Sequence, residues 1–169
     1  MHEQSHTDIL NGKVAVVTGA ARGVGRGIAH ALAQSGAIVY VTDRRTRHAY
    51  PGEPGTIEDT VDEIKLAGGE AIPVQVDFTA DHQVEALFQQ VEREQGRLDI
   101  LVANAMSGNA IPFHMGPGWE LDSASWDHMF TSGVRNHLIA AVKAAPLLLK
   151  SKGMIVLTGY RDTNHPETG

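Results

Sequence analysis

The 169-residue chain contains no cysteine. That excludes disulfides, thiolate metal sites and a cysteine nucleophile, and it suits a reducing compartment. Net basic charge is also lacking: 14 Lys and Arg against 20 Asp and Glu leave a formal charge of −6 that no basic cluster outweighs, so nucleic acid is not an expected partner. Apolar runs stay too short to span a bilayer. The opening MHEQSHTDIL carries acids and histidines where a secretion signal needs a basic start and an apolar stretch. Aromatic residues are only 5% of the chain; Trp119 and Trp126 flank ELDSAS, where core or substrate-loop packing is expected rather than a stacking platform. Nine histidines are present, but beyond His2 and His6 no third ligand shows metal spacing, so no metal is expected. These absences predict a soluble, cytoplasmic, single-domain protein without membrane or nucleic-acid partners. At 42% hydrophobic, a chain of this length can bury its own core.

What is present alternates between two periodicities. KVAVVTG (13–19), AIVYVTD (37–43), AIPVQVD (71–77), LDILVANA (98–105) and MIVLTG (154–159) read as strands, with 154–157 expected to be buried. Pro73 suits a strand's first residues better than its middle. Between them, Val84, Leu87, Phe88 and Val91 form one helical stripe ending at Gly96. Thr56 caps a helix with acids in its first turn. A long helix is expected after a cap near Ser123 or Ser125, interrupted around Pro146. Alternating strands and helices imply parallel βαβ units with helices on both faces. RRTRHAYPGEPG (44–55) is too long for a plain turn and reads as either a floppy insertion or a loop over a ligand site. SGNAIPFHMGPGW (107–119) reads as a substrate-side loop.

The first strand runs into VVTGAARGVGRG, with Thr18, Gly19, Gly23 and Gly25 spaced TGxxxGxG before a helix. Glycines permit a tight turn and close approach of backbone to a phosphate, and the helix N-terminus offers N–H groups and a positive dipole end to a pyrophosphate. Asp43, closing the second strand, stands where an acid accepts hydrogen bonds from an adenosine ribose. The fold class expected is therefore α/β, a Rossmann-type doubly wound parallel sheet with five recognisable strands over 13–159, flanked by tails at 1–12 and 160–169.

On these motifs the chain resembles the short-chain dehydrogenases/reductases. TGxxxGxG at 18–25 is that family's spacing, VQVDF resembles the end of its third strand, LVANA its turn after strand four, and GMIVLTG its fifth strand. Within the family, GRLDILVANA and GVRNH resemble a subgroup typified by dehydrogenase/reductase member 1. The resemblance implies a dinucleotide held by Thr18, Gly19, Ala21, Arg22, Gly23, Val24, Gly25, Asp43, Arg44, Asp77, Phe78, Asn104 and Ala105. Asp77 would contact the adenine with Phe78 beside it. It also implies a small carbonyl or alcohol substrate and hydride transfer. Asp43 favours NAD, since its carboxylate repels a 2′-phosphate; Arg22 and Arg44 stand where NADP users place cations, which makes NADP the runner-up.

The family's chemistry uses a Tyr as acid/base, a Lys one helical turn later, a Ser after strand five and an Asn in the preceding helix. The Asn position falls on Gly133, and the subgroup shares that glycine. The Ser position falls on Gly159, between Thr158 and Tyr160. Tyr160 is followed four positions on by Asn164 rather than Lys, and Pro166 disfavours a helix there. The Tyr–Lys pair is expected past Gly169, so catalytic residues stay unassigned. Two expectations remain: part of a reductase, or a dinucleotide-binding module without turnover. Met129, Phe130, Leu138, Ile139, Val142 and Leu147 to Leu149 predict an apolar face and a homo-oligomer.

Overall fold

The computed structural model describes residues 9–106, 117–120 and 122–159. Its centre is a parallel sheet of β1 (Val14–Thr18), β2 (Ile38–Asp43), β3 (Glu70–Gln75), β4 (Ile100–Ala103) and β5 (Met154–Leu157), in the order β3-β2-β1-β4-β5. The chain builds outward from β1 through β2 to β3, then crosses back to place β4 on the other side of β1. The direction of winding thus reverses between β1 and β4, and a crevice opens outside the carboxyl ends of these strands.

Alternating side chains on β1 explain the helices on both faces. Val14 and Val16 join Tyr40, Leu87, Phe88 and Leu101 in one core; Ala15 and Val17 join Val39, Val41, Ile64 and Val102 in the other. Period-two alternation sends neighbours to opposite faces, so a strand apolar at every position must be covered twice. The second core is covered by α1 (Gly23–Gln34) and α2 (Ile57–Leu66), the first by α3 (Asp81–Gln95) and α5 (Asn136–Ser151). Thr56 caps α2 in a reciprocal box with Asp59. Val84, Leu87, Phe88 and Val91 are the buried stripe of α3, which ends at Gly96 in the left-handed conformation.

Several expectations are corrected. Pro73 sits mid-strand, opposite Val41; β3 is an edge of the sheet, where a missing N–H is tolerated. The helix after 122, α4 (Ser123–Phe130), is capped not by Ser123 or Ser125 but by Asp122, whose Oδ1 accepts the Ser125 N–H at 2.7 Å. Its interruption is not at Pro146, which lies inside α5, but at a π-helical turn over Thr131–Arg135. The carbonyl that Pro146 leaves without an N–H partner belongs to Val142, on the exposed side of α5. Leu147 and Leu148 are buried rather than displayed, while Phe130, Leu138, Val142 and Leu149 are exposed.

β5 is the largest departure. It was expected to be buried, yet all four residues are exposed, from 40% at Val156 to 63% at Leu157. β5 pairs with β4 on one side and forms the other edge of the sheet. Its apolar residues are those of a strand made to be covered on both faces. The tail histidines, most of the 107–119 loop, Tyr160 and the 160–169 tail lie outside the described residues. No helix among the described residues is long and apolar enough to cross a membrane.

Candidate functional site

The carboxyl ends of β1 and β4 are locked together through Thr18 and Asn104. The Asn104 and Ala105 N–H groups both donate to Thr18 Oγ1 at 2.8 Å. Asn104 Nδ2 donates to the carbonyls of Thr18 (2.9 Å) and Gly19 (3.2 Å), while its Oδ1 accepts the Thr158 hydroxyl at 3.1 Å. One asparagine thus ties β1, β4 and the end of β5. Its amide is spent on holding the turn in place.

Two glycines explain the turn's sequence. Gly19 has φ of 67°, and a Cβ on it would stand 2.8 Å from Ala105 Cα. At Gly25 a Cβ would meet the Gly19 carbonyl oxygen at 2.3 Å and Asn104 Nδ2 at 2.5 Å. The side of α1 that touches the turn therefore admits no side chain. Gly23, where α1 begins, faces open space. The helix has no side-chain cap and no acid in its first turn, so its leading N–H groups and positive dipole end are left for an anion.

Beside this turn lies a cavity of about 430 Å³. Nine of the thirteen residues expected at a dinucleotide site line it: Gly19, Arg22, Val24, Asp43, Arg44, Asp77, Phe78, Asn104 and Ala105. Thr18, Ala21, Gly23 and Gly25 do not. Thr18 is held by its two N–H partners, the Ala21 carbonyl accepts the Thr60 hydroxyl, and Gly25 is packed against the turn. Burial pushes the Asp77 carboxyl up, but the Thr79 hydroxyl and N–H and the nearby Arg44 charge outweigh it and hold the group below its ordinary range. Among the described residues, the Arg22 and Arg44 guanidinium groups enter no salt bridge, whereas that of Arg45 is paired with Glu53 at 2.9 Å.

Sequence reasoning missed further lining residues, among them Arg45, Tyr50, Met106 and Asn136. Arg45 and Tyr50 come from the 44–55 segment, which is not a floppy insertion but a folded loop at the cavity's rim. The Arg45 guanidinium lies 4.1 Å from the Tyr50 ring centroid, and its Nε donates to the Gly55 carbonyl at 3.1 Å. Arg47 pairs with Asp59 and Asp62 of α2. Asn136 reaches the cavity because of the π-helical turn. It is 3% exposed, and its amide donates to the carbonyls of Ala105 at 2.7 Å and Ser132 at 2.6 Å. Gly133, three residues earlier, faces only the Met106 thioether.

The profile of the short chain dehydrogenase family matches residues 13–166. The chain belongs to that family. Dehydrogenase/reductase SDR family member 1 of Mus musculus is 41% identical over 152 residues, covering 88% of this chain and 46% of that protein. The chain therefore spans about half the length of this relative. Among solved structures, a metagenomic short-chain oxidoreductase in complex with NADP superposes with a TM-score of 0.77 at 30% identity, over 93% of this chain and 66% of the other. The 7α-hydroxysteroid dehydrogenase complexed with NADH and 7-oxo glycochenodeoxycholic acid gives 0.73 at 30% identity, over 93% and 56%. As in other short-chain dehydrogenases, the sheet here is parallel with helices on both faces.

Proposed function

We propose that this chain is the dinucleotide-binding part of a short-chain oxidoreductase, with NAD as its cofactor. The observation that carries the reading is the bare N-terminus of α1, uncapped and free of acids, opening beside a cavity that has Asp43 in its wall. An anion suits the first feature, and a ribose diol suits a carboxylate at the end of β2. A dinucleotide joins both groups. Gly19, Arg22 and Val24 would hold the pyrophosphate, Asp43 the adenosine ribose, and Asn104, Ala105 and Asn136 would bound the remainder. In a short-chain oxidoreductase that also carries the Tyr–Lys pair, a nicotinamide bound there exchanges hydride with a carbonyl or alcohol carbon of a small substrate.

Arg22 and Arg44 favour a second reading, NADP, because both line the cavity and, among the described residues, their guanidinium groups enter no salt bridge, which suits a 2′-phosphate. Asp43 is weighed more heavily, since its charge would act on that phosphate at the shortest range. Relatives solved with NADP and with NADH are compatible with either. Titrating NADH and NADPH by their fluorescence tests the choice. Tighter NADH binding is expected, with Asp43→Asn shifting preference toward NADPH; tighter NADPH binding by the unaltered protein would overturn it.

Among the described residues lining the cavity there is one tyrosine, Tyr50, and no lysine. A phenol titrates near pH 10 and serves as a base at neutral pH only with a cation at its oxygen to stabilise phenolate; the Arg45 guanidinium lies over the face of the Tyr50 ring instead. The 169-residue chain is accordingly proposed to bind the cofactor without reducing a carbonyl. Turnover of an aldehyde or ketone with NADH by the unaltered chain would refute this.

A further inference from the structure

The 44–55 loop contributes a residue that neither the glycine turn nor the strand ends require. Tyr50 lines the cavity beside Asp43 and Arg44, and also a second, shallower hollow bordered by Arg26, Arg47 and Asp62. The tyrosine is therefore a partition between the two. It is held from one side by the Arg45 guanidinium at 4.1 Å. Arg45 is itself fixed, since its side chain is only 13% exposed and is bound to Glu53 and to the Gly55 carbonyl. Its own N–H donates to Asp43 Oδ1 at 3.1 Å, and its carbonyl accepts the Ile57 N–H at 3.0 Å. The ring is thus set relative to Asp43 by a short, rigid chain of contacts.

A plain link between β2 and α2 would not need an aromatic side chain clamped in this way. A preset aromatic surface beside a guanidinium is what a flat heteroaromatic ring stacks on, and it loses little entropy when the ring arrives. We propose that Tyr50, clamped by Arg45, is a specificity wall for the purine base of the dinucleotide. Asp43 fixes the ribose, and Tyr50 fixes the ring that the ribose carries. This inference rests on the dinucleotide reading above.

The test is NADH binding by fluorescence, with ADP as competitor, on the full chain and on Tyr50→Phe, Tyr50→Leu and Arg45→Met, each first checked for folding by circular dichroism. Tyr50→Phe should stay within about twofold of the parent, because the ring face is kept. Tyr50→Leu should weaken NADH about tenfold, with the same loss for ADP, which places the loss in the adenosine half. Arg45→Met should weaken ADP in the same direction, and it decides the matter if Tyr50→Leu does not fold. Parent-like ADP affinity in Tyr50→Leu, or a loss for NADH that ADP does not share, overturns the wall while leaving the dinucleotide reading intact. If the parent binds neither NADH, NADPH nor ADP, the dinucleotide reading fails, and the wall fails with it.

Discussion

Replacing Gly25 with alanine tests the central packing claim. The added Cβ would lie 2.3 Å from the Gly19 carbonyl oxygen and 2.5 Å from Asn104 Nδ2. Neither atom can move freely. The carbonyl belongs to a turn in the left-handed conformation, and the amide is shared between Thr18 and Gly19 while its oxygen holds Thr158. Overpacking costs about 1–3 kcal/mol, and breaking the two Asn104 donations adds about 1 kcal/mol each. A loss of about 3–5 kcal/mol is a large fraction of a domain's stability. Gly27 is the internal control: it lies in the same helix, and nothing stands within 4 Å of a Cβ there. Alanine at that position should stabilise by about 1 kcal/mol through helix propensity. With a urea slope of about 2 kcal/mol per molar, the unfolding midpoint should fall by about 2 M for Gly25→Ala and rise by about 0.5 M for Gly27→Ala. An unchanged midpoint for Gly25→Ala, or shifts of the same sign in both, would show that the turn is not packed as described.

Asp59 links acid stability to α2. The Arg47 side chain, helped by the Thr56 N–H and hydroxyl, lowers its carboxyl to about 2. Because the folded value lies below the unfolded one, the contribution is complete above about pH 4 and is lost as pH falls toward about 2. Asp59→Ala should cost about 1 kcal/mol at pH 7, mostly as capping because the ion pair is solvent-screened. Melting curves recorded from pH 7 to pH 2 should show the gap between the two proteins closing across that window; a gap independent of pH would contradict the assignment. The outward stripe of Phe130, Leu138 and Val142 is proposed to meet a second copy of the chain. Sedimentation should show an oligomer at micromolar concentration, dissociated by Leu138→Glu; a monomer throughout would exclude that face as the contact.

Much of the site could be read from the chain because its signals are local. TGxxxGxG places a turn between a strand and a helix, and the structure shows what each spacing does: one glycine bends, the other makes room. Asn104 was picked out by its turn, but not its task, since the partners of its amide lie on a distant strand. Tyr50 was invisible for a different reason. Nothing in RRTRHAYPGEPG says which side chain points inward until Arg45 closes back on Gly55 and Glu53. Asn136 depends on the π-helical turn, whose extra residue rotates everything after it relative to a regular helix. The expectation that Leu147 to Leu149 are displayed together fails because α5 buries Asn136, Ala140, Ala144, Leu147 and Leu148 along one helical face. The expected burial of 154–157 came from composition alone, which reports what a strand is suited to contact rather than what lies against it.

The seal between Thr18 and Asn104 has a consequence for how the protein reaches its native state. Its hydrogen bonds join positions 86 and 87 apart in the chain, a loop far longer than those closed by pairing β1 with β2. Loop-closure entropy defers such contacts, so the first three strands can associate well before the crevice exists. A dinucleotide arriving during synthesis would find no completed site, and it could not act as a template for the early pairings. Its influence falls on the finished fold, where it would slow unfolding while leaving the rate of folding nearly unchanged.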